Sequence, residues 1–351
     1  MINKYKKIFK NKKILITGHT GFKGAWLTQF FLLFESKIMG LSNGIISKPN
    51  IFQILKFNKK IKDKRCDIRD FKKLKKIILS FKPDFIFHLA AQSLVSYSHS
   101  YPKKTFETNV NGTLNILEVA KDLKSLKGII IVTSDKTYDV NKGNSFFSEK
   151  DPLGGNDPYS SSKAASEIIL KPYFNIFLKK KIALSSVRAG NVIGGGDWGK
   201  DRIVPDMLRT IKSGQILKVR NPNHVRPWQH VFDCLNGYIL LMTKQIQSPK
   251  KYSGSYNIGP VSSLNIQVKK LVKIFSTNFN FKYKYIKKNF LGETKTLRLN
   301  TAKSRNILNY YCKLNFKESI NYTISWYKDF LDKKKNMNLI SENQIKNYFK
   351  K

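Results

Sequence analysis

Short apolar runs alternate with amphipathic stretches through the first half of the chain, the pattern of a parallel α/β sheet. Lys13–Thr17 (KILIT) has the composition of a buried strand. A glycine turn follows, and the next stretch predicts a helix through Gly24–Phe34. Lys37–Leu41 is a second strand. Phe71, Leu74, Ile77 and Ile78 recur at helical spacing and predict a helix over Phe71–Ser80. Asp84–Leu89, Gly128–Thr133 and Ile182–Arg188 are further strands, separated by helices over Val110–Lys121 and Tyr159–Leu170. The order predicts an α/β fold with a doubly wound parallel sheet, whose ligands lie at the carboxyl ends of its strands. Beyond Gly190 the pattern loosens. Glycine and proline punctuate Gly194–Gly199, Pro205, Asn221–Pro222 and Pro227, which predicts a smaller, lid-like domain. Gln229–Lys244 and Tyr256–Gly259 are expected to return to the sheet.

Composition narrows the class. With 351 residues, 41% of them hydrophobic, there is material for a large core. The opening MINKYKKIFKNKK is basic but lacks the apolar stretch of a signal peptide, and no apolar run reaches membrane-spanning length. Cys66, Cys234 and Cys312 are few, odd in number and scattered. They read as free thiols in a reducing compartment, so a cytoplasmic protein is expected. The formal net charge of +42 has two readings. One is binding to nucleic acid or an anionic surface. The other is a drift of solvated positions to lysine, and the spread of lysines along the whole chain favours this one. No nucleic-acid or membrane partner is therefore expected. The charge should still steer an anionic substrate, less so in salt.

The first glycine turn carries a candidate phosphate site. Gly18, Thr20, Gly21, Phe22, Lys23 and Gly24 (GHTGFKG) follow a strand and open a helix. Glycines permit close approach of a pyrophosphate, and the helix N-terminus offers unpaired N–H groups. The spacing is GxxGxxG rather than GxGxxG. An acidic residue is expected at the end of the second strand to bind the adenosine ribose. Ser42, Asn43 and Gly44 stand there instead. No arginine stands beside Asn43 in the sequence to hold a 2′-phosphate, so NAD is favoured over NADP. Asp67 and Ile68 follow a short basic segment; Asp67 could accept from an adenine amino group or cap the next helix. Ala90, Ala91 and Gln92 end a strand with small residues, against which a dinucleotide could lie.

Tyr159 and Lys163 stand four apart and share a helix face. An ammonium beside a phenol favours the phenolate, so the pair can remove a hydroxyl proton while hydride leaves the same carbon. Ser134, Asp135 and Lys136 stand at the end of Gly128–Thr133. Ser134 can hydrogen-bond the substrate hydroxyl beside Tyr159. Asp135 and Lys136 add an acid–base pair, which elimination of water needs and simple alcohol oxidation does not.

These motifs carry a resemblance. ITGHTGFKGAWL, CDIRDF, FKPDFIFHLAAQSLV, TNVNGT, VTSDKTYD, DPYSSSK, VRAGNVIGGGDWGKDRIVPD and RNPNHVRPWQHV together resemble the extended short-chain dehydrogenases that dehydrate nucleotide sugars, and among them the branch acting on CDP-glucose. dTDP-glucose relatives place Thr-Asp-Glu at the strand end where this chain has Ser134-Asp135-Lys136. The resemblance implies a Rossmann domain over 1–188 with 229–260 returning to it, and a smaller substrate domain over 189–228 and 261–351. It implies bound NAD, no metal, a CDP-glucose substrate and a 4-keto-6-deoxy sugar product. It places Tyr159 at the C4 hydroxyl, Lys163 at the nicotinamide ribose, Asp135 at the C6 hydroxyl and Lys136 where relatives keep the base for the C5 proton; Lys136 could instead position Asp135 or a water. It directs Asn109, Arg188, Asn191, Arg202, Arg226 and Glu293 toward the substrate. Arg188 could equally form a structural salt bridge, and Glu293 a solvated loop contact; Asn109 should tie strand to helix near the site, and His230 reads as structural. The resemblance further implies a homodimer or higher homo-oligomer formed through Val110–Lys121 and Tyr159–Leu170, which sedimentation as a monomer would refute. Two other functions stay open: an epimerase or a dehydratase for another nucleotide, and a non-catalytic nucleic-acid-binding protein.

Overall fold

The computed structural model describes residues 1–140, 146–261, 266–286 and 297–351. Glu293 lies outside the described residues. Seven strands, β1 (Lys13–Thr17), β2 (Lys37–Ser42), β3 (Lys62–Arg65), β4 (Phe85–His88), β5 (Gly128–Val132), β6 (Ala183–Ala189) and β7 (Gly254–Ile258), form one sheet in the order β7-β6-β5-β4-β1-β2-β3. Every pairing is parallel. Runs such as GIIIV in β5 and FIFH in β4 are buried along their whole length, as strands covered on both faces must be. The strand order reverses between β1 and β4, which opens a crevice at their carboxyl ends.

The helix α1 (Phe22–Leu33) is apolar around its circumference and buried from Gly24 to Phe31. Its fully buried Trp26, Phe30 and Phe31 each contribute roughly 2–3 kcal/mol by area. It starts two residues before the expected Gly24, because Gly21 adopts the extended N-cap conformation. The helix α2 (Phe71–Phe81) is capped by Asp70, whose carboxylate accepts from Lys73 N–H, so Asp67 is not its cap. The helix α3 (Gly112–Lys121) follows a wide π-helical turn at Glu107–Asn111, which shortens the helix expected from Val110. The helix α4 (Pro158–Ile168) matches its expected span closely.

Residues from 229 return through the helix α5 (Val231–Gln247), and β7 joins the sheet edge beside β6. Two C-terminal helices, α6 (Phe316–Leu331) and α7 (Met337–Lys350), complete the chain.

One core lies on the sheet face covered by α1 and α5, and includes Ile14, Ile16, Trp26 and Phe232. It runs without a break into Trp326, Tyr348 and Phe349 of the last two helices. The opposite core joins Leu15, Ile86, Ile129 and Ile131 to Leu74, Ile116 and Phe177. The basic N-terminal segment, whose fold the sequence pattern left unread, is a helix over Ile2–Phe9 with Tyr5 and Phe9 buried. Among the described residues, no helix is long and apolar enough to cross a membrane.

Candidate active site

The turn after β1 is built for close approach. Gly18 has φ +72°, and a Cβ there would stand 2.7 Å from Ala90 N. The loops after β1 and β4 therefore touch at the crevice. No side chain caps the N-terminus of α1. The N–H groups of its first turn, from Phe22, Lys23 and Gly24, lie beside Gly21, where a Cβ would meet only Gly18 O, at 3.3 Å. Leu89 to Leu94 form a half-buried strip along the end of β4. Thr17 Oγ1 accepts from Ala90 N–H at 3.1 Å and holds the start of that strip in place. An uncapped helix start next to a loop that carries the small residues Ala90, Ala91 and Ser93 fits a dinucleotide pyrophosphate.

Asp157 starts α4 by accepting from Ser160 N–H at 3.0 Å, with Pro158 in the first turn. This puts Tyr159, Lys163 and Glu167 on one face at successive four-residue steps. All three are buried. Lys163 Nζ donates to Val132 O at 3.4 Å, and burial with the nearby Lys23 charge pushes its ammonium down to about 8. A buried ammonium with one long carbonyl contact fits a donor awaiting ribose hydroxyls.

Tyr159 differs from the expectation of a phenol already lowered by Lys163. Burial raises its pKa, and the hydrogen bond with Ser134 and the charge of Arg202 act against that rise. Ser134 Oγ also donates to Asp135 Oδ1 at 3.1 Å and accepts from Lys136 N–H at 3.2 Å. Burial raises the Asp135 pKa, opposed by Lys136, Ser134, Arg226 and Lys23. Asp135 is thus biased toward its protonated, proton-donating form. Lys136 is half-buried beside it. The backbone at Gly190 is wedged between the Asp135 carboxylate and the Pro227 ring. Tyr159, Ser134 and Asp135 therefore share one locus at the ends of β5 and β6, within reach of the charges of Lys23, Lys136, Arg202 and Arg226.

The remaining expected residues sort by their partners. Arg202 Nη1 donates to both Asp197 oxygens at 3.1 Å while its charge reaches Tyr159. Arg226 donates to Val225 O and pairs with His224 while its charge reaches Asp135. Asn191 is half-buried at the end of β6, and its carbonyl accepts from Gln229 N–H. There the VRAGN and PWQH stretches meet in a short parallel ladder, Val192–Ile193 with Gln229–His230.

Asn109 and Arg188 are not brought to the locus as free ligands. Asn109 is buried, accepts from Gln92 N–H, and donates to Gln92 O and Ser162 Oγ, so it braces the β4 loop against α4. Arg188 is gripped by both Glu167 oxygens, at 2.8 and 2.6 Å, and donates to Tyr138 Oη at 2.8 Å. That is the salt-bridge alternative. Gln92 spends its side chain on Leu94 and Thr105. Ile68 packs its side chain into the second core, against the Gly112 backbone. His230 is buried and neutral, held down to about 3 by burial, and accepts from Phe232 N–H as the α5 cap.

Comparison with known proteins decides the lineage. A family profile described as GDP-mannose 4,6 dehydratase matches residues 15–323. The chain is 35% identical to the CDP-glucose 4,6-dehydratase of Salmonella typhimurium over 98% of both chains. The chain belongs to the GDP-mannose 4,6 dehydratase family. Its fold is shared with the UDP-glucose 4-epimerase of Thermotoga maritima, at TM-score 0.78 and 20% identity over 91% of this chain and 99% of that one. It is shared also with the dTDP-glucose 4,6-dehydratase of Streptomyces venezuelae, solved with NAD bound, at TM-score 0.76 and 22% identity over 90% and 97%.

Within this member of the family, three features escaped the sequence reading. Glu167 lies on the Tyr159–Lys163 face, and that spacing was the available signal. It accepts from Thr133, Ser186, Ser255 and Arg188, tying β5, β6 and β7 to α4. Burial works to raise its pKa, but Arg188 outweighs this and holds the carboxylate below its usual range. Asp67 is held by Arg69, which donates to both its oxygens and lowers its pKa. The third is a correction. An arginine does stand beside the end of β2: Arg65 Nη1 donates to Ser42 Oγ at 2.7 Å. The parallel register sets Ser42 opposite Arg65, a proximity that positions 23 apart in sequence do not reveal.

Proposed function

We propose that the chain is an NAD-dependent CDP-glucose 4,6-dehydratase, converting CDP-glucose to CDP-4-dehydro-6-deoxyglucose and water. The observation that carries this reading is the convergence of Ser134, Asp135 and Tyr159 at one strand-end locus. A simple oxidation has no use for the buried, protonated-biased acid. The nucleotide follows from the full-length relative, whose name is CDP-glucose 4,6-dehydratase.

NAD would be held by the first turn of α1 after Gly18, Thr20 and Gly21, by the strip at Ala90, Ala91 and Gln92, near Asp67 and Ile68 at its adenine end, and by Lys163. When bound, it would supply a reversible hydride store, taking hydride from C4 and returning it to C6 within one turnover. Tyr159 takes the C4 hydroxyl proton, with Ser134 bonded to the same oxygen. The C4 ketone then acidifies the C5 proton, which is assigned to Lys136. Asp135 protonates the C6 hydroxyl, which leaves as water. Arg202 and Arg226, whose charges reach Tyr159 and Asp135, are assigned to the diphosphate as guanidinium forks, and Asn191 is assigned to the substrate. Glu293 is kept as a candidate for the nucleotide ribose. On this reading 189–228 and 261–351 form the substrate side of the molecule, and 1–188 with 229–260 the cofactor side.

The test is a substrate panel. Purified chain with NAD is incubated with CDP-, dTDP- and UDP-glucose, and products are weighed by mass spectrometry. Loss of water is expected with CDP-glucose, at a rate at least about tenfold above the others, the discrimination one lost base contact supplies. An unchanged CDP-glucose, or a product of unchanged mass, overturns the proposal.

A further inference from the structure

The end of β2 meets the adenosine ribose in doubly wound dinucleotide folds. A carboxylate there binds the 2′-hydroxyl and repels a 2′-phosphate, whereas an arginine accommodates the phosphate. In this chain the position carries Ser42, followed by an exposed Asn43 and by Gly44, whose Cβ direction is open space. Arg65 is seated on it. One terminal nitrogen donates to Ser42 Oγ at 2.7 Å and the other to Asp63 Oδ2 at 2.7 Å. The guanidinium carbon lies 5.4 Å from the Phe52 ring centroid. The nearest carboxylate, Asp63, does not offer an acid to the ribose. Its second oxygen is paired with His19 Nε2 at 2.9 Å, so both its oxygens are engaged. His19 in turn fits only because residue 40 is glycine; a Cβ there would fall 2.2 Å from the imidazole. The arrangement leaves the Asp63 side chain only 16% exposed and the Arg65 side chain 39% exposed.

We propose that Arg65, docked on Ser42, makes the adenosine end of this site accept a 2′-phosphate, so that the chain binds NADP as well as NAD. The inference rests on the dinucleotide reading above and concerns its selectivity. A guanidinium fixed by Ser42, Asp63 and Phe52 loses little freedom on meeting a phosphate, and its remaining N–H groups match phosphate oxygens. Lys64, exposed on the same strand, adds like charge nearby.

Calorimetric titration of the full-length protein tests this without reference to turnover. The probes are NAD, NADP, 2′,5′-ADP and 3′,5′-ADP. The last two carry equal charge, so the general pull of a +42 protein acts on both alike. The expected result is 2′,5′-ADP binding about tenfold or more tighter than 3′,5′-ADP, the size of one charge-assisted hydrogen bond. NADP should bind within about tenfold of NAD. Arg65→Ala should weaken NADP and 2′,5′-ADP by about tenfold while moving NAD by less than about threefold, and Ser42→Asp should weaken NADP far more than NAD. If NAD binds but 2′,5′-ADP shows no preference over its isomer, the inference is overturned and the cofactor reading stands. If neither dinucleotide binds, the cofactor reading falls with it. The isomer comparison uses unaltered protein, so a misfolded variant leaves the question decided.

Discussion

Burial raises the pKa of both Asp135 and Tyr159, yet the two residues need opposite things from it. An acid that must deliver a proton gains from desolvation, which shifts it toward its neutral form. A phenol that must accept one does not, and here Ser134 and Arg202 partly offset the rise. Asp135→Asn keeps an acceptor for the Ser134 hydroxyl but removes the deliverable proton. Turnover of CDP-glucose is expected to fall by about 10²–10⁴, the usual worth of a positioned acid, with substrate affinity changed by less than about threefold. Product formation by mass spectrometry and CDP-glucose titration read the two quantities separately. A variant that keeps near-normal turnover would remove Asp135 from the chemistry.

At the scale of elements, the site depends on how α4 is held against the sheet. Its first turn is set by Asp157 and Pro158, and its third by Glu167. Glu167 and Arg188 form a pair whose side chains are only 2% and 3% exposed, with hydroxyls from β5, β6 and β7 completing the carboxylate's shell. Removing one member of such a pair strands the other charge out of water. Glu167→Gln is expected to destabilise the fold by about 3–5 kcal/mol in urea unfolding. A loss under about 1 kcal/mol would mean that the pair is weakly desolvated after all. Arg188 read from sequence as facing substrate because it ends a strand where ligands gather. Burial along the whole of β6 and a carboxylate on a neighbouring helix decided otherwise, and neither is visible without the packing.

At the scale of the whole molecule, the C-terminal helix is pinned by one buried acid. Asp233 accepts from Lys313 N–H at 2.7 Å, Leu314 N–H at 3.3 Å and Tyr348 Oη–H at 2.9 Å, and burial pushes its pKa up to about 6. A carboxyl raised in the folded state holds its proton while the unfolded chain has already lost it. The stability it contributes is therefore full below about pH 4 and declines as pH rises to about 6, by roughly 3 kcal/mol in all. Asp233→Asn should lack this slope. The wild-type unfolding free energy, minus that of the variant, is expected to drop between pH 4 and pH 6.5 and to stay level above it. A flat difference would show that Tyr348 and the two amides hold the ionised form.

Sequence alone determined the strands, the glycine turn, the Tyr159–Lys163 face and the acid at the end of β5. Each is a local matter, read from periodicity or from residues a few positions apart, where backbone geometry dictates which side chains meet. It did not determine the partners of Arg188, the bracing role of Asn109, the core that joins α1 to the last two helices, or the arrival of Arg65 at Ser42. Those depend on strand register and on packing between segments tens to hundreds of residues apart. Loop closure brings such segments together only when the whole sheet forms, so tertiary structure alone decided which charges are spent within the fold and which are left for ligands.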